Sequence, residues 1–160
     1  QYRIKDNFLA FWFRFVYPMR SFIESDHAEI AMAKLKTGFI PNHVGYVYED
    51  ICRQKMWELN TQGKLPFLFD RVGRWWGGKD TEIDIVAIDT TDRSKIIFGE
   101  CKFHQNVPMQ LSELHQLKEK ASVVPWGNAN RDEYFALFCI SGYSEDLQQL
   151  AQEDSHLLLM

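Results

Sequence analysis

The stretch TEIDIVAIDTTDRSKIIFGECKF, Thr81 to Phe103, decides the fold. It reads as two β-strands turning around Thr90-Thr91-Asp92-Arg93, with acidic side chains set among apolar ones. Side chains two apart on a strand share a face. Glu82 and Asp84 are therefore expected on one face of the first strand, with Ile83 and Ile85 on the other. On the second strand Glu100 and Lys102 share a face and Cys101 turns away. Pairing as a hairpin brings Asp84, Glu100 and Lys102 to one spot. Two carboxylates and an amine are costly there unless a cation or an anionic substrate accompanies them.

Downstream, Met109 to Val123 carries Leu111, Leu114 and Leu117 at helical spacing, and Asn128 to Asp132 is a polar loop. Tyr134 to Ile140 is a near-continuous apolar run, as in a strand covered on both faces. Ser144 to Gln152 predicts a capped helix, and His156 to Met160 a last strand. Upstream, Val44 to Asn60 predicts a long helix with a stripe of Val44, Val47, Tyr48, Ile51, Cys52 and Leu59, ended by Gly63 and Pro66. Phe67-Leu68-Phe69 then starts a strand running towards Trp75-Trp76, with Gly77-Gly78 as a turn. Before the break at Pro41-Asn42-His43, Phe8, Phe11, Trp12, Phe15 and Val16 form one helical face that Pro18 ends or kinks. A second helix is expected from Ser21 to Lys36, with Ser25 or Asp26 as caps. The order predicts an α/β domain over residues 41–160, a mixed sheet flanked by helices, preceded by a helical extension over residues 1–40. So aromatic a start, without an initiator Met, suggests a piece of a longer protein. Part of that face is expected to pack on upstream sequence, and the piece alone to associate as a homo-oligomer or expose apolar surface.

With 160 residues, 46% hydrophobic and 25% charged, the chain suits one soluble globular domain. Cys52, Cys101 and Cys139 are odd in number and widely spaced, which points to a reducing, cytoplasmic compartment rather than a disulfide framework. No spacing suits a structural zinc site. The longest apolar stretch, Phe8 to Tyr17, contains Arg14 and is too short to span a membrane. The net charge of −4 divides unevenly: residues 1–80 carry 12 Lys/Arg and 9 Asp/Glu (+3), residues 81–160 carry 6 and 13 (−7). Arg53, Lys55, Lys64, Arg71, Arg74 and Lys79 lie just before the acidic strands. Such a flank suits a phosphate backbone beside an acidic centre, although ordinary solvated charge gives the same pattern.

Asp84, fifteen intervening residues and then Glu100-x-Lys102 is a pattern suited to Mg²⁺- or Mn²⁺-dependent phosphodiester hydrolysis. Two carboxylates, with the carbonyl of Cys101 as a candidate further ligand, suit a hard cation that keeps several waters. Such a cation polarises the scissile phosphate and activates water, and a lysine orients that water or stabilises developing charge. An E-x-K alone is ordinary on a surface strand. Here the residues between the acids are strongly apolar, and Gly99 lets another group approach the backbone. Trp75 and Trp76 could stack on an unpaired base, or serve as core or as a subunit contact. Lys118 on the following helix is a candidate phosphate contact or a solvated lysine. Gly73 to Lys79 fits G-x-x-x-x-G-K, yet Asp80 replaces the hydroxyl residue and a strand follows, so a phosphate-cradling loop is excluded.

Taken together, Glu49 in Gly45-x-x-Tyr48-Glu49-Asp50, Asp84 in Glu82-Ile83-Asp84, and Gly99-Glu100-Cys101-Lys102 resemble the PD-(D/E)XK nuclease superfamily. With Tyr2-Arg3-Ile4-Lys5-Asp6, Phe11-Trp12-Phe13 and Arg74-Trp75-Trp76 in the same order, nearly the whole chain resembles a C-terminal domain of unknown function. That domain is found in prokaryotic archaeal-type (DEXX-box) ATPases. The resemblance implies a restriction-endonuclease-like core and a DNA endonuclease-like activity using Mg²⁺ or Mn²⁺. It implies Glu49, Asp84, Glu100 and Lys102 as the catalytic set. Arg74, Lys79 and Lys118 are the expected DNA contacts. It also implies an upstream ATPase and winged-helix region as partners, with ATP bound only there. The alternative is a catalytically inactive module of the same fold for DNA binding or ATPase assembly. A carboxylate glycosidase would leave Lys102 and the basic flank without a role.

Overall fold

The computed structural model describes residues 4–39, 43–78, 81–128 and 130–160. Lys79, expected as a DNA contact, and most of the Pro41-Asn42-His43 break lie outside them. The chain falls into two units, Gln1–Tyr48 and Glu49–Met160.

In the second unit five strands form one sheet in chain order: β1 (Arg71–Trp76), β2 (Glu82–Ile88), β3 (Lys95–Lys102), β4 (Asp132–Cys139) and β5 (Leu157–Leu159). β1, β2 and β3 pair antiparallel, while β3–β4 and β4–β5 are parallel. The expected mixed α/β sheet flanked by helices is therefore present. β3 is central because its sequence is apolar without alternation: Ile96, Ile97 and Phe98 are all fully buried. On one face Ile96, Phe98, Phe135 and Leu137 pack against Leu114, Leu117 and Ala121 of a helix over Leu111–Ser122. Glu113 of that helix accepts a 3.1 Å bond from the Gln110 amide, which holds its first turn. The last helix, Glu145–Glu153, is capped as expected, with the Leu147 amide 3.4 Å from the Ser144 hydroxyl.

The helix over Gly45–Thr61 ends in a side-chain clamp. Buried Asn60 donates to the Phe69 carbonyl at 2.9 Å and accepts from the Phe69 amide at 3.1 Å. That clamp corrects one expectation: Phe67-Leu68-Phe69 does not start a strand, because Asn60 takes the backbone groups a ladder would use. β1 begins only at Arg71.

A second correction concerns alternation in β2. Gly73 pairs with Val86 but Trp75 pairs with Ile83, so Asp84 and Ile85 together stand against Arg74. This β-bulge breaks the period of two. Ile83 joins the cluster of Ile96 and Phe98, whereas Ile85 lies over Gly99 on the other side of the sheet. Ile83 and Ile85 therefore do not share a face, nor do Glu82 and Asp84.

The first unit is helical, as expected of the extension. Its opening helix, Asn7–Phe11, is capped by Asp6, whose carboxylate accepts from the Leu9 amide at 2.8 Å. It passes into a π-turn at Trp12–Val16 and a 3₁₀ turn at Tyr17–Met19 containing Pro18. The helix expected over Ser21 to Lys36 is two pieces, Arg20–Glu24 and Ala28–Phe39. Asp26 adopts a left-handed φ of 60° and His27 Nδ1 lies 2.6 Å from the Ser25 carbonyl, which breaks the run. Phe11 and Phe15 meet Phe39 and His43 with centroids 5.7–6.1 Å apart. Phe8, Trp12 and Phe13 are exposed.

Candidate active site

The site forms where β2 and β3 part. Their ladder runs from Ile88–Ile96 to Ile85–Gly99, and one further step of the same register sets Asp84 opposite Glu100. Opposed side chains of an antiparallel pair lie on one face. At that step side chains take over the backbone bonding: the Cys101 amide donates to Asp84 Oδ2 at 2.9 Å, and Arg53 Nη1 donates to the Asp84 carbonyl at 3.2 Å. Gly99 makes the approach possible, since a Cβ there would lie 2.9 Å from the Ile85 Cβ and 3.2 Å from the Ala136 carbonyl oxygen.

Glu100 is the deepest charge in the site, its side chain only 7% exposed, and each of its oxygens meets an ammonium. Lys102 Nζ lies 2.6 Å from Oε1, and Lys120 Nζ lies 3.1 Å from Oε2. The cost of burying such a carboxylate is offset only by pairing of this kind. Burial, and then the negative charge of Glu100, push the pKa of Asp84 up to about 6. Burial works against the Lys102 ammonium, but the Glu100 carboxylate outweighs it and leaves that pKa above the ordinary lysine value. The structure thus brings Asp84, Glu100 and Lys102 together, as expected.

Glu49 belongs to an adjoining polar cluster. It is paired with Arg74, and Arg53 Nη1 lies 3.9 Å from it. Arg74 also reaches Glu82, Nη1 to Oε1 3.0 Å, and its charge acts on Asp84. Arg74, expected as a DNA contact, is therefore held between two acids with 12% of its side chain exposed. Glu82, placed beside Asp84 by alternation, instead serves Arg74. Cys101 faces Cys52, whose thiol, followed by burial, raises the Cys101 pKa. Lys118 lies over the Phe135 ring at 5.2 Å rather than at the carboxylates. The strand ends at Lys102, and the His104 carbonyl accepts from the Ser141 hydroxyl in the following loop.

Lys120 was not singled out in the sequence. Its signal was its place three residues after Leu117 and one before Ala121, at the rim of the buried helix face.

The donor set fits a hard cation in kind and number. Mg²⁺ characteristically takes one or two carboxylates and keeps water. Among the described residues no group of three or more His, Cys, Asp and Glu gathers in a metal-binding arrangement. A bound ion would therefore rely on Asp84 and Glu100, with Cys101 supplying at most a carbonyl.

A family model of archaeal and bacterial proteins of unknown function, DUF234, matches residues 12–120. The chain belongs to this family. An uncharacterized protein of Methanocaldococcus jannaschii is 33% identical over 138 residues, which are 86% of the chain and 30% of that relative. The chain thus spans under a third of the length of the relative it matches. No solved structure matches it. The family match takes in Glu49, Asp84, Glu100, Lys102 and Lys120. Among the described residues no helix is long and apolar enough to cross a membrane.

Proposed function

We propose that this DUF234 domain is a divalent-cation-dependent phosphodiesterase of the PD-(D/E)XK type, acting on DNA as part of a longer ATP-binding protein. The observation that carries this reading is the meeting of Asp84 and Glu100 at the parting of two strands, with the Lys102 ammonium 2.6 Å from Glu100. Asp84 and Glu100 would hold Mg²⁺ or Mn²⁺, which supplies positive charge for a phosphate and activates water. Asp84 is oriented by the Cys101 amide and Glu100 by its two ammonium groups. Lys102 supplies a donor for the attacking water or for charge developing on a phosphate oxygen. Glu49 fixes Arg74, which in turn places positive charge beside Asp84. The DNA substrate and the ATPase partner rest on the sequence resemblance and the basic flank.

The test is incubation with Mg²⁺ or Mn²⁺ and single-stranded, duplex and branched DNA. Metal-dependent cleavage is expected, lost in a folded Lys102→Ala variant. Equal inertness of both proteins on all three substrates rejects the hydrolase. One observation favours a second reading, a non-catalytic assembly module: Phe8 is 67% and Phe13 51% exposed in the helical unit. Inert protein that self-associates through these side chains would establish it.

A further inference from the structure

The second ammonium on Glu100 has no part in an E-x-K pattern. Lys102 reaches its oxygen from two residues along the same strand, whereas Lys120 reaches across from the helix over Leu111–Ser122. Leu117 and Ala121, which flank Lys120 on that helix, are fully buried, so the backbone of the last turn is fixed against the sheet. The ammonium is not: the side chain is 31% exposed and crosses from core to solvent on four carbons. Lys118, one residue on the other side of Glu119, engages Phe135 and leaves Glu100 to Lys120.

Both oxygens of Glu100 are thus taken by cationic side chains. A divalent ion coordinated by this carboxylate competes with them for its lone pairs and repels both ammonium groups, the more weakly held one yielding first. Lys120 holds the longer contact, 3.1 Å against 2.6 Å, and comes from a separate element.

We propose that Lys120 is a displaceable counter-ion of Glu100: it pairs with the carboxylate and aims it, leaves Oε2 when a divalent cation arrives, and then presents its ammonium to a phosphodiester. The inference rests on the cation reading of the site and adds a positioning residue to it. Without the ion the two lysines balance the charge of Asp84 and Glu100. With the ion the site carries excess positive charge, which an anionic backbone satisfies.

The test is calorimetric titration of the whole chain with Mn²⁺ alone. Wild type is compared with Lys120→Met, Lys120→Arg and the control Lys118→Met, each checked for folding by circular dichroism. Loss of the competing charge should tighten Mn²⁺ binding about tenfold in Lys120→Met. Lys120→Arg and Lys118→Met should stay near wild type. With Mn²⁺ saturating, Lys120→Met should bind a short DNA oligonucleotide several-fold more weakly. Unchanged or weaker Mn²⁺ binding in Lys120→Met, with wild type binding one ion, overturns the role of Lys120 and leaves the cation site standing. Absence of Mn²⁺ binding in every protein overturns both. Should Lys120→Met fail to fold, Lys120→Gln carries the same comparison.

Discussion

At the scale of the residue, the consequences of burying Asp84 beside Glu100 are measurable in both stability and activity. Its pKa is raised from 3.8 to about 6. The folded chain therefore holds a proton that the unfolded chain has released between those two values. Stability falls as pH rises through this window, and the cost of ionised Asp84 is complete above pH 6. Asp84→Asn removes that cost. In chelator it should be about 3 kcal/mol more stable than wild type at pH 7, with little difference at pH 3.5, by urea denaturation. A variant less stable than wild type at pH 7 would show that the carboxylate is held by attraction rather than burial. Lys102→Ala leaves Glu100 Oε1 without its ammonium. It should lower metal-dependent cleavage by about 100-fold or more while secondary structure persists. The acids and Lys102 were legible in the sequence because strand spacing fixes E-x-K on one face. Lys120 was not, because no local spacing reports which lysine of a helix reaches across to a strand.

At the scale of the element, two joints place the site. Gly99 lets β2, β3 and β4 close up below Asp84: a methyl group there would meet Ile85 and the Ala136 carbonyl. Gly99→Ala should cost about 1–3 kcal/mol and weaken cation binding, because the strands must separate where the carboxylates meet. Retained stability and affinity would show that Gly99 is incidental. Asn60 ties the helix carrying Glu49 and Arg53 to the approach of β1. Asn60→Ala strands two buried backbone groups and should cost about 2–3 kcal/mol, seen as a lower melting temperature. The strands and helices themselves were largely predictable from their periodicity. The failures have local causes: the Asn60 clamp that stops a strand at Phe69, the left-handed Asp26 that splits a helix, and the bulge opposite Arg74. Each depends on contacts or backbone states that hydrophobic patterning does not encode. The bulge matters most, since it sends Glu82 to Arg74 and leaves Asp84 with Glu100.

At the scale of the whole molecule, sequence order and sheet order coincide from β1 to β5, which is why the α/β architecture could be read from the chain. The unequal charge of its halves has a functional consequence. Residues 81–160, which supply Asp84 and Glu100, carry −7 and repel a phosphate backbone. DNA affinity is therefore expected to rise steeply on adding Mn²⁺ and to fall with added salt, by fluorescence anisotropy. Affinity indifferent to the cation would place any DNA contact elsewhere. The proposed chemistry requires Asp84 and Glu100 to hold one hard cation between them. Its most direct measurement is anomalous diffraction from crystals of the chain soaked in Mn²⁺. One strong peak is expected, with oxygens of Asp84 and Glu100 about 2.1 Å away. Mn²⁺ bound only at other carboxylates, with the Asp84–Glu100 pair and its two lysines unchanged, would contradict it.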